Sequence, residues 1–127
     1  MNKNILVIDD DIAVRKSFVL AFEDTPYSVD TAESGEKGIH RAQNTKYDLI
    51  FLDLKMPGMD GVQTLRELRK MDRDVHVYII TGFHEEFVDQ LKSAEVDRID
   101  FELLRKPIGA EQLVSIARGI LEGPAGY

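Results

Sequence analysis

Two four-residue stretches constrain this chain more than anything else in it: Ile5-Leu6-Val7-Ile8 and Leu49-Ile50-Phe51-Leu52. Each is apolar without a break, and each runs directly into an aspartate, Asp9 and Asp53. Successive side chains of a strand point to opposite sides of a sheet. An unbroken apolar run too short for a helix is therefore the pattern of a strand covered on both faces. The aspartates pose the chemical question. Burying an unpaired carboxylate is costly, so an acid at the end of a buried strand needs a partner.

Between and after these runs the pattern alternates strand and helix five times. Val14, Phe18, Ala21 and Phe22 form the stripe of a first helix, capped by Asp10 or Asp11 and ended by Thr25-Pro26. Tyr27 to Ala32 alternates with a period of two, which predicts a more exposed strand at a sheet edge. Ser34 starts a short helix carrying Ile39 and Ala42. Asp60 caps a third, with Val62, Leu65 and Leu68 inward. Val75 to Ile80 is the fourth strand, followed by a helix through Phe87, Val88 and Leu91. Leu103 and Leu104 belong to the fifth strand, and Leu113, Ile116, Ala117, Ile120 and Leu121 to a last helix. Continuous strands separated by helices predict an α/β domain with a doubly wound parallel sheet of five strands and helices on both faces. Residues 1–122 form this domain, and residues 123–127 read as a tail or the start of a linker.

Composition narrows the function classes. The 127 residues suit one domain, and a net charge of −7 argues against direct nucleic-acid or anionic-membrane contact. The absence of cysteine excludes disulfides and thiol chemistry. No apolar run is long enough to span a bilayer and the chain opens without a signal-like segment, so the expected location is the cytoplasm.

In a parallel sheet the strand ends share one edge, where ligands of such folds bind. That edge gathers Asp9, Asp10 and Asp11 from strand one, Asp53 from strand three, Thr81 from strand four and Lys106 from the end of strand five. At about 4 Å and an effective dielectric near 20, each carboxylate pair repels by about 4 kcal/mol. A divalent cation removes that repulsion, and hard oxygen ligands with room for water suit magnesium. A carboxylate nucleophile, a metal, an ammonium and a hydroxyl donor suit in-line attack on a phosphoryl group, giving an aspartyl phosphate on Asp53. Singly, each residue has a plainer role: helix caps for Asp9 to Asp11, a turn for Asp53, a strand end for Thr81, surface for Lys106. Their coincidence at one edge carries the chemical reading.

The segments ILVIDDD, LIFLDLKMPGMDG, YIITG and LLRKP, in this order, resemble the receiver domain of two-component response regulators over Asn4 to Leu121. The resemblance implies a flavodoxin-like strand order, 2-1-3-4-5. It implies Asp53 as phosphoacceptor, magnesium held by Asp9, Asp10, Asp53 and the backbone carbonyl of Lys55, and Lys106 paired with the acceptor. It further implies Thr81 as the hydroxyl that moves to meet the phosphoryl group, and a cis peptide before Pro107. The implied partners are a sensor histidine kinase or phosphotransfer protein, and a downstream effector or covalently linked output domain. Such a domain is not an enzyme in the usual sense, since it assists its own phosphorylation and dephosphorylation.

The chain departs from the family's pattern in three ways. Thr81 to Lys106 is a few residues longer, Ser93-Ala94-Glu95-Val96-Asp97 replaces a small Gly-Ala step, and Leu103 stands where relatives carry an aromatic. The expectation is a signal that leaves through a different surface. Lys55 and Phe83 lie two residues past Asp53 and Thr81, where the family places groups that tune phosphate lifetime; the resemblance implies slower self-dephosphorylation than in relatives with a polar residue in place of Phe83. Three alternatives compete. A flavin-binding module needs a phosphate-cradling loop where this chain has three aspartates. An aspartyl phosphatase usually has a second acid at the position of Lys55. The third is a degenerate receiver acting only as an interaction module, against which the complete acidic set argues.

Overall fold

The computed structural model describes residues 3–82 and 85–123. The buried runs of the sequence become the central strands. The elements are β1 (Asn4–Ile8), α1 (Ile12–Ala21), β2 (Ser28–Ala32), α2 (Gly35–Asn44), β3 (Leu49–Asp53) and α3 (Gly61–Met71). There follow β4 (His76–Thr81), a 3₁₀ turn (Glu85–Phe87), α4 (Val88–Val96), β5 (Glu102–Arg105) and α5 (Ala110–Leu121). The five strands are parallel, in the order β2-β1-β3-β4-β5. This is the doubly wound sheet the residue pattern predicts, in the flavodoxin-like order the resemblance implies.

The unbroken apolar runs are explained by two cores, one on each side of the sheet. Leu6, Ile8, Ile50, Leu52, Val77 and Ile79 point to one side, where Val62, Leu65 and Leu68 of α3 cover them. Ile39 and Ala42 of α2 and Leu91 of α4 add to that layer. The alternate residues Ile5, Val7, Leu49, Phe51 and Ile80 point to the other side, against Phe18 and Phe22 and against Leu113 and Ala117 of α5. Truncating one such fully buried side chain to alanine costs roughly 2–5 kcal/mol.

Local signals set the helix starts. Asp11, not Asp10, caps α1 by accepting from the backbone N–H of Ala13. Ser34 caps α2, and Asp60 forms a reciprocal capping box with Gln63 at α3. The first helix ends earlier than its Thr25-Pro26 signal: Phe22 is the C-cap, and a turn over residues 22–25 leads into β2. Its ring is drawn into the core with Phe51 and Tyr27, so packing rather than proline stops the helix.

Strand boundaries shift by a residue or two from the sequence reading, and β2 is indeed an edge strand. The fourth helix does not include Phe87: α4 opens at Val88, which is 41% exposed. The reason is that Phe87 ends a 3₁₀ turn, which changes the helical phase before α4 begins. Phe83 and residues 124–127 lie outside the described residues. Gly123, at φ +74°, follows the last helix in the left-handed conformation that glycine tolerates best.

Candidate functional site

The strand register builds the site as a staircase. Ile8 lies opposite Leu52, so Asp9 and Asp53 each stand one step past paired residues. Asp53 lies opposite Ile80, which puts Thr81 one step beyond it. Thr81 lies opposite Arg105, and the next residue is Lys106, whose N–H donates to the Thr81 carbonyl at 2.8 Å. Residues as far apart as Asp9 and Lys106 therefore meet at one edge.

The ammonium of Lys106 donates to Oδ1 of Asp53 at 3.2 Å and stands 3.6 Å from Oδ2 of Asp9. Asp10 joins this pair: carboxylate oxygens of Asp9, Asp10 and Asp53 lie within 4.8 Å of one another. Asp9 and Asp53 are buried, and Asp10 is exposed at the rim. Thr81 is buried beside them. The Lys106–Pro107 peptide is cis, as the resemblance implies. Lys55, two residues past Asp53, is exposed, and its ammonium pairs with Glu86 of the 3₁₀ turn at 3.3 Å. Asp11 serves as a helix cap and is outside the acidic group.

The electrostatics follow from burial and crowding. Burial first, and then the charge of Asp9, push the Asp53 carboxyl up from 3.8 to about 6, against the opposing pull of Lys106. Asp9 is also raised, chiefly by burial, although the Asp11 N–H and Lys106 favour its charged form. Lys106 loses some basicity to burial, but Asp53 and Asp9 outweigh this and hold its ammonium above the ordinary range. One ammonium thus offsets the acids only in part. Hard oxygen donors from two buried and one exposed carboxylate fit a divalent cation of the magnesium kind.

Two residues that the sequence reading did not single out complete the site. Gly61 opens α3 with its N–H on the Leu54 carbonyl at 2.8 Å. A Cβ there would stand 2.4 Å from the Asp53 carbonyl and 2.7 Å from the Leu54 Cα, so only glycine lets α3 seat this close to the end of β3. Its signal was the Asp-Gly pair at the helix start. Arg15 donates from Nη1 to the Asp9 carbonyl at 2.7 Å. Nothing in the spacing marked it, because an arginine in the second turn of a helix is usually solvent-facing. Leu103 sits on β5 opposite Ile79 and is 48% exposed, while Phe101 packs against the core on the α4 side.

A flavodoxin-like sheet whose carboxyl edge carries an acidic, lysine-paired pocket is a distinct class among doubly wound domains. Residues 5–118 match the response regulator receiver domain model, and the chain belongs to that family, one of two-component signalling. It is 31% identical over 121 residues to the alkaline phosphatase synthesis transcriptional regulatory protein PhoP of Bacillus subtilis (strain 168), covering 95% of this chain and 49% of that protein. The chain thus spans about half the length of this curated relative. A response regulator receiver domain protein from Clostridium thermocellum is similar at 31% identity and TM-score 0.78, with 94% of this chain and 95% of that one covered. A CheY-like receiver domain protein from Methanospirillum hungatei JF-1, 24% identical, shares the fold at TM-score 0.84 over 97% of both chains. Among the described residues no helix is long and apolar enough to cross a membrane.

Proposed function

We propose that the chain accepts a phosphoryl group on Asp53, with magnesium, from a histidine kinase or phosphotransfer protein, and passes the change on to an effector or an attached output domain. The observation that carries this reading is the bond from Lys106 to Asp53 at 3.2 Å inside a group of three converging carboxylates. An Asp53 oxygen attacks phosphorus in line. A new O–P bond forms, the bond from phosphorus to the donor nitrogen or oxygen breaks, and the leaving group keeps the electron pair and takes a proton.

Asp9, Asp10, Asp53 and the Lys55 carbonyl are the residues that would hold magnesium, and the ion supplies charge neutralisation at the phosphoryl oxygens. Lys106 orients Asp53 and carries positive charge to the same oxygens. Thr81, buried next to it, provides a hydroxyl that can turn toward the new phosphate. A phosphate can bias two conformations only by contacting them differently, and Thr81 and Lys106 are the groups placed to do so.

The net charge and the absence of a membrane-spanning helix among the described residues fit a cytoplasmic domain without direct nucleic-acid contact. It turns over no external substrate beyond its own phosphorylation and dephosphorylation. Incubation with acetyl phosphate and magnesium, followed by intact mass, tests the reading. Wild type should gain one phosphate and Asp53→Asn none. No gain in either protein leaves the chain as an interaction module only.

A further inference from the structure

We infer that Arg15 is a positioning residue for the acidic edge: by holding the Asp9 carbonyl it fixes the peptide that aims Asp10 at the metal-binding group. The inference rests on the magnesium site proposed above.

Asp9 is fastened at every polar atom. Its N–H donates to the Ala32 carbonyl at 3.0 Å, and its Oδ1 accepts from the Asp11 N–H at 2.9 Å. Its Oδ2 faces Lys106 at 3.6 Å, and its carbonyl accepts from Arg15 at 2.7 Å. Asp10 is the reverse case. It is exposed, and among the described residues no hydrogen bond to its carboxylate is found. Its direction therefore comes from the backbone. The Asp9 carbonyl and the Asp10 N–H share one planar unit, so holding the oxygen sets the plane from which the Asp10 side chain departs.

Arg15 suits that task. Its own N–H donates to the Asp11 carbonyl at 3.1 Å, which anchors it on α1, and its side chain folds back over the acidic turn to Asp9. The bond is short and charge-assisted, a stronger restraint than a neutral one. Residues that orient metal ligands without touching the metal commonly change affinity about 10–100-fold when removed. The guanidinium has an opposing influence, because its positive charge repels a cation. The two roles give opposite signs: a mere nearby charge predicts tighter magnesium binding on removal, and a positioning residue predicts weaker binding.

The experiment measures magnesium affinity of the full chain by calorimetry and by amide chemical shifts of Asp10 and Asp53, for wild type, Arg15→Met and Arg15→Lys. Arg15→Met is expected to bind magnesium about 3–10-fold more weakly, the charge effect offsetting part of the loss. Arg15→Lys, which keeps a cationic donor, recovers part of it. In acetyl phosphate reactions, Arg15→Met raises the half-saturating magnesium concentration by more than it lowers the maximal rate. General structural damage would lower the rate without that split. Binding by folded Arg15→Met as tight as wild type, or tighter, overturns the inference. If Arg15→Met does not fold by circular dichroism, Arg15→Gln is judged by the same criterion. Wild type that binds no magnesium at all would instead refute the proposed function.

Discussion

At neutral pH and with divalent cations chelated, Asp53→Asn is expected to stabilise the protein by about 3 kcal/mol. Asp53 is 6% exposed, so solvent screens it little. Its carboxyl is raised from 3.8 to about 6, first by burial and then by Asp9. Below 3.8 both folded and unfolded chains carry the proton and this group costs nothing. Between 3.8 and about 6 the unfolded chain has released its proton while the folded chain keeps it. Stability therefore falls as pH rises through that window, by roughly 1.4 kcal/mol per pH unit. Above about 6 the loss is complete. Asparagine stands in for the protonated acid and removes the dependence. Urea unfolding in EDTA measures it, with a gap of about 3 kcal/mol at about pH 7.5 narrowing to about 1 kcal/mol at about pH 4.5. For a domain of this size the neutral-pH gap corresponds to roughly 10 °C in Tm. Magnesium at about ten times its Kd should return about 1.4 kcal/mol to wild type and less to the variant. A variant no more stable than wild type at neutral pH in EDTA, or a gap that ignores pH, would refute the reasoning.

Lys106→Met removes the ammonium on both buried acids; phosphorylation by acetyl phosphate should slow about 10–100-fold, the worth of one charged hydrogen bond, read by intact mass against time. Gly61→Ala sets a methyl against the Asp53 carbonyl and the Leu54 backbone, neither of which can move aside, so chemical denaturation should show a loss of about 1–3 kcal/mol. Glu86→Gln breaks an exposed pair with Lys55; its effect on stability should stay below about 1 kcal/mol and shrink further in high salt, as thermal melts at two salt concentrations would show. Leu103→Gln, on a half-exposed edge position, should leave stability within about 0.5 kcal/mol by the same melts.

The architecture was legible because its signals are local and repeated. The runs Ile5 to Ile8 and Leu49 to Leu52 could be satisfied only by a sheet covered on both sides, and their closing acids marked the edge where Asp9, Asp53, Thr81 and Lys106 would meet. Caps at Ser34 and Asp60 were legible for the same reason: the group that accepts and the group that donates lie three residues apart. The early end of α1 at Phe22 and the exposure of Val88 were not legible, because each depends on what packs around it. Proline and periodicity point one way, and the aromatic core and the 3₁₀ turn decide.

By itself the sequence determined that three acids, a threonine and a lysine fall at one edge of one sheet, since covalent order and side-chain period are properties of the chain alone. Only the tertiary structure decided how the charges balance. The one-residue stagger from β3 to β5 brings Lys106 onto two acids, the close seat of α3 depends on Gly61, and the hold of Arg15 on Asp9 depends on how a helix lies over a turn. Distances of a few ångströms between distant segments set burial and Coulomb energy, and no local pattern encodes them.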